Sequence, residues 1–125
     1  MSRGSGGFIY DRALPDGYIP GDDVARLVKI GTTGEIGLGQ KKLVEADGRE
    51  LLVCNAFGAY YAISPICPHE DGPLQDGSLV GEVVTCPVHG YDFNVRTGEC
   101  LFDSELGVAT YPVKIQGGNL YVELL

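Results

Sequence analysis

Residues 41–55 read Lys41-Lys42-Leu43-Val44-Glu45-Ala46-Asp47-Gly48-Arg49-Glu50-Leu51-Leu52-Val53-Cys54-Asn55. Two short apolar stretches, Lys41–Glu45 and Glu50–Asn55, flank an Asp-Gly pair, and Asp-Gly suits the positive φ angles of a tight type I′ turn. The stretch therefore predicts two antiparallel strands. The same punctuation recurs outward in both directions from Val24 to the C-terminus. Gly58 separates Leu51–Cys54 from Tyr60–Ser64, Arg96-Thr97-Gly98 separates Tyr91–Val95 from Glu99–Phe102, and Gly117-Gly118-Asn119 separates Tyr111–Gln116 from Leu120–Leu124. The last pair has the cleanest period of two. It puts Tyr111, Val113 and Ile115 on one face, and Leu120, Val122 and Leu124 on a matching one, so one face of this hairpin is expected to be core. No apolar stripe of helical period persists and no long repeat is present. A small antiparallel sandwich or barrel of about seven to ten strands is the economical expectation.

The 125 residues fit one domain, and 19 Gly with 7 Pro argue against long helices. Residues 1–23, with five glycines, two prolines and the Asp22-Asp23 pair, read as an N-terminal extension; residues 24–125 read as the domain. A net charge of −8 opposes polyanionic partners, so neither nucleic acid nor an anionic membrane is expected to bind. No apolar run approaches the ~20 residues that span a bilayer. After Met1-Ser2-Arg3 come glycines and only Phe8-Ile9-Tyr10, which is not an export signal, so a cytoplasmic location is expected.

The chemistry is concentrated in two loops. Both histidines of the chain stand beside a cysteine, in Cys67-Pro68-His69 and in Cys86-Pro87-Val88-His89, with 16 residues between His69 and Cys86. Pro65, Pro68, Pro73 and Pro87, with Gly72 and Gly90, stiffen these loops and keep them out of strand ladders. Each loop offers one thiolate and one imidazole. Two of each could hold a tetrahedral Zn²⁺, although zinc fingers usually pair like ligands on one element. Mixed pairs on two loops match a binuclear cluster in which both thiolates take one iron and both imidazoles the other.

On these residues, together with Gly72-Pro73-Leu74, Asp76-Gly77, Gly90, Phe93 and Thr97-Gly98, the sequence from about 24 to 125 resembles the Rieske-type ferredoxins of bacterial ring-hydroxylating oxygenase systems. The resemblance implies an all-β Rieske-type antiparallel β-sandwich with a small cluster-binding subdomain on a larger base. It implies one [2Fe–2S] cluster bound by Cys67, His69, Cys86 and His89, with no catalytic residue. It also implies a one-electron carrier, expected to be monomeric, between a flavin-dependent reductase and a terminal oxygenase of aromatic hydrocarbon catabolism. The terminal oxygenase itself needs two further histidines for a mononuclear iron, and the chain has none to spare. A small Rieske-like subunit of a reductase such as nitrite reductase, and a structural zinc module, are the alternatives.

The resemblance also bears on the reduction potential. High-potential respiratory Rieske proteins carry a loop-to-loop disulfide at the positions of Gly72 and Val88, and serine and tyrosine hydroxyls at the positions of Tyr91 and Phe93. Here the disulfide and the phenol are gone, and Glu70, Asp71, Asp76 and Asp92 add negative charge. A midpoint at the low end of the Rieske range, about −150 mV, follows. Those acidic residues read either as a solvated surface or as a docking patch for a basic partner. Family members commonly carry a proline in the segment after the second hairpin, whereas Phe102–Leu106 has none. Cys54 and Cys100 are expected to be buried free thiols. Gly34, Gly37 and Gly39 before Lys41-Lys42 fit no phosphate-loop spacing, and Arg96-Thr97-Gly98 is expected to be turn chemistry.

Overall fold

A computed structural model describes residues 26–68, 71–88 and 90–124. The N-terminal extension, residues 1–23, lies outside the described residues, as do both histidines of the ligand loops, His69 and His89.

Ten strands form three antiparallel sheets among the described residues. Strands β1 (Arg26–Thr32), β10 (Asn119–Leu124) and β9 (Val113–Gln116) make one sheet in the order β1-β10-β9. Strands β2 (Lys41–Ala46), β3 (Arg49–Ala56), β4 (Ala59–Ile63) and β8 (Thr110–Tyr111) make the second, in that order. The small third sheet holds β5 (Ser78–Val80), β6 (Val83–Thr85) and β7 (Asp92–Asn94). Among the described residues, regular helix is limited to two single 3₁₀ turns, Thr33–Glu35 and Leu74–Asp76, and no helix is long and apolar enough to cross a membrane.

The β2–β3 turn has the expected geometry. Asp47 and Gly48 take φ of 58° and 80°, and Ala46 and Arg49 pair across it, each extending its strand by one residue beyond the sequence estimate. Strand β3 then runs through the middle of the molecule. Leu51 and Val53 point into a core with Ala62, Leu120, Val122 and Leu124, while Leu52, Cys54 and Ala56 point into another with Leu74, Val84, Phe93 and Val95. Period-two alternation is thus apolar on both faces, because sheets cover the strand on both sides. Each such Leu or Val, fully buried, contributes about 1.5–3 kcal/mol.

Two strand assignments change. The expected strand Tyr111–Gln116 is broken at Pro112, which has no N–H for a ladder. Before it, Thr110 and Tyr111 pair with β4; after it, Val113–Gln116 pair with β10. The chain changes sheets there. Ile115, expected in the core, is 53% exposed because β9 is an edge strand. The expected strand Glu99–Phe102 is reduced to isolated bridges, Phe93 with Cys100 and Glu99 with Gly107. Beyond it the loop folds on itself: the Asp103 carboxylate accepts the Glu105 N–H at 2.9 Å, and the Asp103 carbonyl accepts the Leu106 N–H at 3.0 Å. Asn94 Oδ1 likewise accepts the N–H groups of Arg96 and Thr97 at 2.8 and 3.1 Å, so that segment is turn chemistry as expected.

Candidate metal centre

The first cysteine-bearing loop leaves β4 and returns to β5 as a closed finger. The Leu74 N–H donates to the Pro65 carbonyl at 2.9 Å, Ile66 bridges to Pro73, and the Cys67 N–H donates to the Gly72 carbonyl at 2.8 Å. Asp71, with φ of 54°, makes the left-handed corner at the tip. The second loop joins β6 to β7. There the Cys86 N–H donates to the Tyr91 carbonyl at 2.8 Å and the Gly90 N–H to the Cys86 carbonyl at 3.0 Å. At its neck the Thr85 hydroxyl donates to the Asp92 carboxylate at 2.6 Å. Both loops are held by their own backbone, and the Cys86 side chain faces the first finger at Gly72.

The fingers touch where side chains are missing. A β-carbon at Gly72 would lie 2.5 Å from Cys86 Sγ and 3.5 Å from Val88 Cβ. The latter falls within the ~3.5–4.5 Å spanned by disulfide-linked β-carbons, so positions 72 and 88 face each other as the disulfide correspondence requires, yet carry no cysteine. At the base, a β-carbon on Gly77 would collide with the Thr85 carbonyl. The loops are pressed together backbone to side chain.

Cys67 and Cys86 are 0% and 2% exposed and share one core with Leu74, Phe93 and Cys54. No disulfide engages any of the four cysteines. The structure therefore brings together two of the four expected ligands, both as buried thiols on facing fingers. His69 and His89 lie outside the described residues, and among those described no group of three or more metal-ligating side chains occurs. Two buried cysteines lining one core, with the Cys86 sulfur lying against Gly72 of the Cys67 finger, fit the thiolate end of a two-iron cluster.

The surroundings are apolar, with an acidic margin. Tyr91 meets Phe102 edge to face, centroids 5.8 Å apart at 70°, so the loop after the second hairpin leans on the second finger through an aromatic pair. Phe102 is 65% exposed; Ile66 and Val88 also present partly exposed apolar side chains on the fingers. Asp71, Asp76, Asp103 and Glu105 are exposed, and Asp92 is half-buried in its bond to Thr85. Phe93 is completely buried.

Cys54 and Cys100 are buried and outside any disulfide, as expected. Burial pushes the Cys54 thiol up to about 12, and the nearby Lys41 ammonium opposes that shift. In the sequence Lys41 stands out only as the start of the expected strand Lys41–Glu45 and as one half of a lysine pair after three glycines. Its ammonium donates to the Gln75 carbonyl, just past the first finger, at 2.8 Å. No local spacing signals a contact between residues so far apart in the chain.

Comparison with known proteins agrees with this geometry. The family model described as the Rieske [2Fe-2S] domain matches residues 26–112. The ferredoxin component of biphenyl 2,3-dioxygenase from Rhodococcus jostii (strain RHA1) is 33% identical over 99 residues, covering 78% of this chain and 92% of that protein. Among solved structures, the ferredoxin of carbazole 1,9a-dioxygenase from Nocardioides aromaticivorans IC177 superposes with a TM-score of 0.73 at 29% identity, covering 79% of this chain and 98% of that one. A chain from the complex of reduced oxygenase and oxidized ferredoxin in carbazole 1,9a-dioxygenase superposes with a TM-score of 0.71 at 28% identity, covering 77% of this chain and 91% of its own.

Proposed function

The chain belongs to the Rieske [2Fe-2S] domain family, and from that premise we propose that Cys67, His69, Cys86 and His89 hold its single cluster and that it carries electrons from a flavin-dependent reductase to a terminal ring-hydroxylating oxygenase. When bound, the cluster supplies a one-electron acceptor and donor. The observation that carries the reading is the pair of buried thiols, Cys67 and Cys86, on two fingers that close on each other at Gly72.

The protein's own residues do three things in this reading. The backbone bonds of each finger hold the cysteines in place, which lowers the ordering cost of holding a cluster. Ile66, Val88 and Phe102 offer an apolar contact that excludes water where a partner docks. Asp71, Asp103 and Glu105, on a chain of net charge −8, steer a partner with a basic rim, and this favours the docking reading of the acidic residues over a merely solvated one. Similarity to ferredoxin components over most of the chain supports the carrier over a reductase small subunit. In this reading the carrier works in the cytoplasm as a monomer, and among the described residues no helix is long and apolar enough to cross a membrane.

Optical and electron paramagnetic spectra before and after anaerobic reduction test the assignment. A Rieske spectrum that is abolished in His69→Ala and in His89→Ala is the expected result. A colourless, zinc-containing protein, or a Rieske spectrum that survives either substitution, overturns it. Supplying candidate reductases and oxygenases in turn, and measuring electrons coupled to product, then identifies the partners.

A further inference from the structure

Lys41 opens β2, an edge strand of the four-stranded sheet, and its side chain leaves that sheet to reach the ligand loop. Its ammonium donates to the Gln75 carbonyl at 2.8 Å in a part-buried bond that spans 34 positions of sequence. Gln75 is the middle residue of the 3₁₀ turn Leu74–Asp76, which closes the Cys67 finger. The turn's own bonds use the carbonyls of Pro73 and Leu74, for Asp76 and Gly77 respectively. The Gln75 carbonyl is left to Lys41. The Gln75 side-chain oxygen beside it is buried with no hydrogen-bond partner among the described residues, so this corner is poor in alternative donors.

The same lysine faces the core behind the cysteines. Lys41 is paired with Cys54 across the β2–β3 ladder, and Cys54 is fully buried in the core that also contains Leu74, Cys67 and Cys86. The thiol of Cys54 feels the ammonium through this low-dielectric interior. A carbonyl in a single turn is a weak anchor by itself, whereas a charge-assisted bond from a strand of the base sheet is a strong one.

We propose that Lys41 is a positioning residue for the cluster. It ties the closing turn of the Cys67 finger to the base sheet, and its charge, held in a fixed place, favours the reduced, more negative state of the site. The proposal rests on the Rieske reading of the two fingers. Its two consequences are separable, because the strap acts on retention of the cluster and the charge acts on its potential.

The test uses the full chain with its cluster. Midpoint potential, and the rate at which visible absorbance is lost in excess chelator, are measured for wild type, Lys41→Met, Lys41→Gln and Lys41→Arg. Circular dichroism melting confirms that each variant folds. In Lys41→Met the midpoint is expected to move to a more negative value and the cluster to be lost several-fold faster. Lys41→Arg, which restores charge and donor, is expected to recover most of both. Lys41→Gln is expected to show the negative shift with slower loss than Lys41→Met, and it decides the charge effect if Lys41→Met does not fold. Variants with the wild-type midpoint and loss rate overturn the proposal while leaving the ligand assignment intact. An arginine variant as shifted in potential as the methionine one overturns the charge role. A wild-type chain without Rieske signals overturns the ligand assignment and this proposal with it.

Discussion

A β-carbon placed on Gly72 stands 2.5 Å from the sulfur of Cys86. The two ligand fingers therefore meet closely at Gly72, and in this chain any larger side chain there would have to displace the Cys86 sulfur or the Val88 side chain.

Gly72→Ala should lower cluster content and stability, since the added methyl meets both Cys86 Sγ and Val88 Cγ2, the latter at 2.8 Å, and one of them must shift. Overpacking of this kind costs about 1–3 kcal/mol, and here the strain falls on a ligand. Gly90 provides the contrast. It sits at φ of 76° with no described residue within 4 Å of where its β-carbon would stand, so Gly90→Ala is expected to cost about 1–2 kcal/mol through the backbone. Visible absorbance per protein and the melting temperature should separate the two. Gly90→Ala keeps its colour and melts a few degrees lower; a fully coloured Gly72→Ala protein would contradict the packing argument.

Alkaline stability should carry the mark of Cys54. Its thiol is raised from 9.0 to about 12 by burial. A folded pKa above the unfolded one means that the folded chain holds its proton more tightly, so the contribution is intact below pH 9. It is lost progressively between about pH 9 and 12, as the unfolded thiol ionises first. The difference amounts to about 4 kcal/mol at most. Denaturant midpoints measured from pH 8 to 11 in wild type and Cys54→Ala should converge as the pH rises. In the native protein, Cys54 should resist alkylation at pH 9.

The midpoint potential should lie near the low end of the Rieske range, about −150 mV. The position of the phenol donor of high-potential proteins holds Phe93, wholly buried and without a hydroxyl, and Asp71 and Asp92 flank the fingers. Fewer donors and more negative charge both oppose reduction. Redox titration checks this, and a clearly positive value would refute it.

Where the sequence was legible, its signals were local. Asp47-Gly48 announced a turn by backbone preference alone, and Leu120, Val122 and Leu124 announced a buried face by alternation; both stand. The cysteine spacing was equally plain, because metal ligands must come from fixed residue types. Strands β5 and β6 left no such trace, since three residues are too few to establish a period. Pro112 could be read as a break but not as a change of sheet, because which strand receives the next residues is decided by distant partners. Phe57 shows the same limit. It takes φ of 57° in the β3–β4 turn, a place suited to Asn or Gly, held there by Gly58 N–H donating to the Asn55 side chain at 2.9 Å. Lys41 and Gln75 likewise meet only once the sheet and the loop are assembled.

Strand β3 gives alternate side chains to the core behind the cysteines and to the core under β10. A wall shared by two rooms cannot be removed from one alone. Opening the cysteine side far enough to expose Leu52 and Cys54 strips support from Leu51 and Val53 on the reverse, so the amide hydrogens of β3 should be among the slowest in the protein to exchange, and their exchange should report opening of the whole molecule. For a carrier that must meet partners repeatedly, the scaffold then yields all together or not at all, and the fingers are spared a partial collapse that would release iron.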